Sequence, residues 1–139
     1  MSNRGEAPQI LAQGVYVVSN GLMSEHWEKT ARLRTRFTQE LLPMMQFDTI
    51  SVQQKLDATW DILQDQRKVP RELLPNTGVG EEMEELLSSS FIQSPMYGTR
   101  CSNYLALNHD CVFWAEKIQQ GEFLGDVPLG HVSSQQFSI

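Results

Sequence analysis

The chain has 139 residues, of which 40% are hydrophobic and 20% charged, and its formal net charge is −6. This length and composition predict one globular domain over residues 1–139 with a normal core. The negative charge argues against a nucleic-acid binder, because phosphate affinity needs a positive surface. No apolar run approaches the roughly 20 residues that span a bilayer, and no secretory signal is visible, so we expect a cytoplasmic protein.

The first apolar segment of the chain predicts a strand. Residues 1–8 are polar and end in a proline, so they predict a lead-in loop. The run Val15-Tyr16-Val17-Val18 is β-branched and aromatic. It lies between Gly14 and Ser19-Asn20-Gly21, which is typical of a short buried strand that ends in a tight turn.

Two longer helices are predicted next. Ser24 is a candidate N-cap for the first, and Pro43 is expected to stop it. Four apolar residues fall roughly on one face of this helix: Trp27, Ala31, Phe37 and Leu41. Ser51 and Gln54 have capping-box spacing and predict the start of the second helix. Its apolar stripe, expected to be buried, is formed by Val52, Leu56, Trp60 and Leu63.

The last third of the chain reads as β-structure, after a short acidic helix over Glu81–Leu87. Residues 97–107 and 111–115 predict two strands of a hairpin, because turn residues 108–110 separate them. Residues 132–139 predict a final edge strand. The sequence therefore favours an α+β fold with helices packed on an antiparallel sheet.

Metal and nucleophile patterns are weak in this sequence. The three histidines, His26, His109 and His131, are widely spaced, and no Cys-x-x-Cys occurs, so no metal site is expected. Cys101 and Cys111 are predicted to be reduced thiols rather than a disulfide, because the chain shows no secretory signal.

Two polar residues are the best site candidates from the residues alone. Arg100 enters an apolar strand, so its guanidinium is either paired internally or faces a ligand or an oxyanion. Asn20 ends the first predicted strand, where its amide either forms a turn or points into a cleft and stabilises developing negative charge. The sequence leaves both alternatives open.

Several blocks in the same order resemble the NRDE, or transport and Golgi organisation, family in its bacterial form. The N-terminal blocks are residues 2–5, residues 14–22 and Trp27-Glu28-Lys29. The later blocks are residues 74–79, residues 91–95 and Tyr97-Gly98-Thr99-Arg100-Cys101-Ser102. Cys101 stands where the family usually has a second serine, and residues 112–117 depart from the usual Phe-x-Glu-Arg ending.

The resemblance implies that the chain corresponds to the C-terminal half of such a protein. The family is about twice as long, and its other half carries an N-terminal cysteine nucleophile and the Asn-Arg-Asp-Glu motif. Residues 3–6 mimic that motif but match a later position. We therefore expect no catalytic residue in isolation, and we expect association with an N-terminal half or self-association, because an isolated hairpin leaves strand edges unpaired.

The family resemblance also implies a fold and a site. The fold resembles part of the αββα sandwich of N-terminal-nucleophile hydrolases. By that analogy Asn20 and Arg100 line one cleft, Asn20 as the oxyanion or substrate-orienting amide and Arg100 beside the nucleophile. The expected cleft also includes four neighbouring residues: Ser19, Tyr97, Thr99 and Ser102.

Two functions follow from the resemblance. The first is a non-catalytic role in haem trafficking, with haem as cargo rather than as a resident cofactor. The alternative is an amidohydrolase-like module that acts on C–N bonds of a small amide and is inactive without its nucleophile-bearing half. Removal of Met1 could expose Ser2 as a nucleophile, but Ser2 aligns with the middle of the family chain, and we expect no such role.

Overall fold

A computed structural model describes residues 10–19, 21–119 and 130–138. Its three strands form one antiparallel sheet in the order β1-β2-β3. They are β1 (Cys101–Leu107), β2 (Cys111–Ile118) and β3 (Val132–Ser138). The predicted hairpin and the final edge strand are thus confirmed, although β1 begins at Cys101 rather than at residue 97 and β2 continues to Ile118 rather than ending at residue 115.

The hairpin turn is held by a side chain. The Asn108 Oδ1 atom accepts hydrogen bonds from the backbone N–H groups of Asp110 (2.9 Å) and Cys111 (2.7 Å). Such an Asx turn fixes the chain reversal and the register in which Leu107 pairs with Val112.

The prediction of a strand over residues 15–18 is wrong, because none of the described strands pairs with this segment. This segment is extended, and its burial alternates, with Val15 and Val17 half-buried and Tyr16 and Val18 exposed. It makes no ladder with another described strand, so β-propensity alone has not produced a strand.

The first helix starts later and runs further than the sequence predicts. Helix α1 (Glu28–Arg36) begins after Trp27 rather than Ser24. It continues through a π-helical turn (Phe37–Leu41) into α2 (Leu42–Met45). Pro43 therefore does not stop the helix. It lies in the first turn of α2, where its missing N–H costs little, and the wide π turn precedes it.

Helix α3 (Val52–Leu63) joins the helices to the sheet. Its capping box is confirmed: Ser51 Oγ accepts from the Gln54 N–H (3.2 Å), and Gln54 Oε1 accepts from the Ser51 N–H (3.0 Å). Leu56 and Trp60 are buried against Ala115 of β2. Val52 is the exception to the predicted stripe, since 53% of it is exposed.

Asp65, in the loop after α3, connects this loop to α1 and to the segment around Phe91. Asp65 accepts hydrogen bonds from Arg32 Nε of α1 (3.0 Å) and from Arg67 Nε (2.9 Å), and its carbonyl accepts from the Phe91 N–H (2.9 Å). Hydrogen bonds from Arg67 are the main cause of a pKa of Asp65 far below its usual range, and the charge of Arg32 adds to it. The loop after α3 is thereby fixed against α1.

The remaining helices are short: a 3-10 turn (Arg71–Leu73) and α4 (Glu81–Leu87), which confirms the predicted acidic helix. The fold is α+β, as the sequence predicts. Among the described residues, no helix has the length and apolar character needed to cross a membrane.

The sheet has one covered and one open face. Helix α3 packs on the face that presents Tyr104, Phe113 and Ala115. The pairing register places six apolar side chains on the opposite face: Leu105, Leu107, Val112, Trp114, Phe137 and Ile118, of which Ile118 is buried. Leu105, Leu107 and Phe137 are exposed there.

Candidate functional site

A groove of about 1040 Å³ opens between the helices, residues 14–18 and β1. One wall comes from the helical stretch, through Phe37, Leu41 and Met45, and α3 adds Val52 and its neighbours. The opposite wall is β1 with part of β2. Among the described residues that line the groove, Lys55 is the single charged side chain. Most lining side chains are apolar, with a minority of polar ones that includes Thr59, Asn103 and Gln136, and a mainly apolar cavity of this size has the properties of a ligand pocket.

Three side chains define the chemistry inside the groove. The rings of Tyr104 and Phe113 meet edge to face, with their centroids 6.0 Å apart. The Tyr104 hydroxyl points at Met45 Sδ, 3.5 Å away. Burial raises the pKa of Tyr104, so the phenol stays protonated at neutral pH. The groove thus offers an aromatic surface beside a thioether and a phenol.

A second cavity of about 20 Å³ lies between α1 and α4, on the other side of the helical layer. Glu84 is buried there, and its Oε1 atom accepts from the N–H and the hydroxyl of Thr77 (2.6 Å each). Lys29 donates to the Leu87 carbonyl (2.7 Å). Burial lowers the pKa of Lys29, and the charge of Glu84 partly opposes this. The cavity has room for about one water molecule. The contacts around it therefore have a structural role, and they attach α4 to α1.

The residues of the motif around Tyr97 lie in a turn that precedes β1. The Tyr97 carbonyl accepts from the N–H (3.0 Å) and the hydroxyl (2.7 Å) of Ser94. Thr99 Oγ1 accepts from the Ile92 N–H (2.9 Å). Tyr97 is exposed and Thr99 is partly buried. These backbone contacts shape the turn, and neither residue lines the groove.

The other predicted site residues are not gathered around the groove. Arg100 is exposed, and its guanidinium makes no hydrogen bond or ion pair with a described residue. Ser102 is buried, and its hydroxyl accepts from Gln119 Nε2 (3.3 Å). Ser19 is partly buried at the end of the segment that lines the groove. Asn20 lies outside the described residues, so the predicted pairing of Asn20 with Arg100 stays a prediction.

Cys101 and Cys111 are free thiols. Burial is the main cause of a raised pKa of Cys101, and a hydrogen bond with Glu116 adds to it. Cys111 lines the groove at the end of β2. Within the described part of the chain, no three His, Cys, Asp or Glu side chains are grouped so that they could hold a metal ion.

Sequence reasoning missed the groove because it ended the first helix at Pro43. Phe37, Leu41 and Met45 follow one another at steps of four residues, and this spacing continues across the proline. That spacing is the signal that predicts one apolar helical face of the length now seen.

The fold and site define an α+β protein with an apolar groove between its helices and the edge of its sheet. The chain belongs to the transport and Golgi organisation 2 family, whose family model matches residues 1–119. The matched region contains every helix and both strands of the hairpin. No curated protein matches the chain.

Proposed function

We propose that this protein is a non-catalytic carrier that holds haem as cargo in the groove. The observation that carries the proposal is the groove itself: about 1040 Å³, walled by apolar and aromatic side chains, with one charged residue. A planar porphyrin needs two apolar walls, and the helical stretch and β1 supply them. Family membership motivates the choice of haem over other flat apolar ligands.

The polar atoms of the groove support this cargo. Thioether sulfur occurs as an axial ligand of haem iron, and Met45 Sδ lies in the groove, 3.5 Å from the Tyr104 hydroxyl that donates to it. Lys55 is the cation available to a propionate carboxylate. Met45 and Lys55 thus offer a sulfur ligand and a cation to such a cargo.

Titration of haem into the protein tests the carrier proposal. We expect a saturable Soret shift with one haem per chain. In Ala106→Trp, whose new side chain fills the groove between β1 and the helices, the shift should be lost. Phe137→Ala, on the opposite face of the sheet, is the matched control and should leave the titration unchanged.

Met45→Leu keeps the apolar volume but removes the sulfur, so haem should still bind and the Soret position should change. A titration without saturation in the wild-type protein, or one that Ala106→Trp leaves intact, overturns the proposal. Hydrolysis of a simple amide that is lost in Ser2→Ala would instead contradict our expectation that Ser2 has no catalytic role.

We further propose that residues 1–139 act as one domain that associates with an N-terminal half or with itself. The open face of the sheet supports this, because Leu107, Val112 and Phe137 form an apolar row across all three strands. Exposed apolar patches of this kind mark protein interfaces. Light scattering as a function of protein concentration measures self-association. A protein that stays monomeric at every concentration would exclude self-association, and the N-terminal half would remain as the proposed partner.

A further inference from the structure

The free edge of β1 presents unpaired backbone groups to the groove. At the two ends of the hairpin, the Gln119 N–H donates to the Arg100 carbonyl (2.9 Å) and the Asn108 N–H donates to the Cys111 carbonyl (3.0 Å). Antiparallel ladders alternate, so the even-numbered residues of β1 bond to β2. The odd-numbered residues therefore point their N–H and C=O groups away from β2: Cys101, Asn103, Leu105 and Leu107.

No other described residue bonds to those outward backbone groups, because β1 is the first strand of the sheet. Three features that often protect a strand edge are absent from this one. Residues 101–107 contain no proline and no charged side chain, and the pairing with β2 has no bulge. Such an edge is a ready template for another strand.

Residues 14–18 form a second wall of the same groove. They are extended, their side chains alternate between half-buried and exposed, and their backbone makes no hydrogen bond with another described residue. They have the sequence and the conformation of a strand without a partner. The groove thus has an unpaired strand-like segment in one wall and the free edge of β1 in another.

The walls limit what that strand can be. The helical wall above it is apolar, through Phe37, Leu41 and Met45, and Lys55 is the single charge among the lining residues. A basic occupant would meet that lysine, and an acidic one would lose its hydration against the apolar walls. The occupant that fits is uncharged, extended and apolar at alternate positions.

We propose that the groove is a strand-addition site, in which an uncharged extended polypeptide segment supplied by another molecule pairs with the free edge of β1. The helical wall already covers the added strand on one side. The segment must therefore arrive without a helical layer of its own, and this favours a single peptide segment over the β1 edge of a second copy. A bound strand and a bound haem share these walls, so each excludes the other.

The test uses the intact protein without haem, so that its outcome is independent of the carrier proposal. The probe is an acetylated and amidated synthetic peptide with the sequence of residues 13–19, which is uncharged and β-branched. Fluorescence anisotropy measures its binding, and amide hydrogen exchange followed by NMR locates it. We expect the N–H groups of Asn103, Leu105 and Leu107 to exchange more slowly with the peptide present, and those of the opposite edge, on β3, to be unchanged.

A pair of proline variants makes the test specific. Leu105→Pro removes an outward N–H without breaking a bond to β2, and should weaken peptide binding about tenfold. Ser134→Pro removes the equivalent outward N–H from the free edge of β3 and should leave binding unchanged. Circular dichroism checks the fold of both variants. If a variant does not fold, the exchange data on the wild-type protein still show whether the peptide pairs with the free edge of β1.

Three results overturn the inference. The first is the absence of saturable peptide binding. The second is binding that leaves the outward amides of β1 exchanging at their original rates, because the peptide then binds without pairing. The third is protection of those amides without peptide that grows with protein concentration, because a second copy then occupies the edge.

Discussion

The two sides of helix α3 meet different surroundings. Leu56 and Trp60 are buried against Ala115 of the sheet, whereas Val52 and Lys55 face the groove, where Val52 remains half-exposed. The closed side is close-packed, and among the described residues its Trp60 Nε1 atom is buried without a hydrogen-bond partner. In the groove, by contrast, the apolar side chains border a cavity rather than packing against other protein atoms. Side chains of the closed side therefore hold the fold, and those of the groove are free to bind.

The largest effect should come from the closed side of α3. Trp60→Ala removes a side chain that is 3% exposed, and should lower the free energy of unfolding by about 3–5 kcal/mol. Phe37→Ala, a groove residue, should cost less than half as much, because part of its surface already faces open space. Urea unfolding measures both. Equal losses would show that the groove wall is packed as tightly as the core.

A smaller effect is expected at Asp65. Asp65→Asn weakens hydrogen bonds from Arg32 and Arg67, and should cost about 1.5–3 kcal/mol at pH 7. The pKa of Asp65 is lowered in the folded state, so its contribution is present above the unfolded value of 3.8 and is lost as the pH falls below it. The difference between wild type and variant should shrink there. Asp61→Asn, in an exposed ion pair, is the control and should cost under about 1 kcal/mol.

The smallest effect is a pH dependence at Lys29. Burial lowers the pKa of this amine below its ordinary 10.5, so the folded protein binds fewer protons than the unfolded chain as the pH rises towards that value. The stability of the wild type relative to Lys29→Met should therefore increase over this alkaline range. Chemical unfolding from pH 8 to 10.5 measures the difference, and a constant difference would show that the amine is not desolvated.

The sequence predicts local elements of this fold well and the groove poorly. The capping box of Ser51 and Gln54 and the Asn108 turn depend on residues close in sequence, so their patterns are sufficient. Residues 15–18 carry a strong strand pattern but lack a partner, and a strand exists only through pairing. Pro43 is a helix breaker by rule, yet a π turn accommodates it.

Prediction of the candidate cleft from the sequence meets the same limit, because the cleft also depends on long-range packing. The family resemblance directs attention to Arg100 and Asn20, whereas the groove is built from Met45, Tyr104 and Phe113, which have no motif between them. Their proximity depends on how the helical stretch lies across β1. Long-range packing of this kind leaves a trace in the sequence only as apolar spacing, and that spacing does not distinguish a groove from a core.

Methyl NMR of the protein with haem-free protoporphyrin IX tests whether the groove binds a flat apolar ligand, because this ligand can bind without metal ligation. We expect chemical-shift changes at methyl groups that line the groove, in Met45, Val52 and Leu63. We expect none at Val69, which lines the small cavity between α1 and α4, or at Val112, on the open face of the sheet. Changes centred on Val69 or Val112, or no saturable change at all, would contradict this expectation.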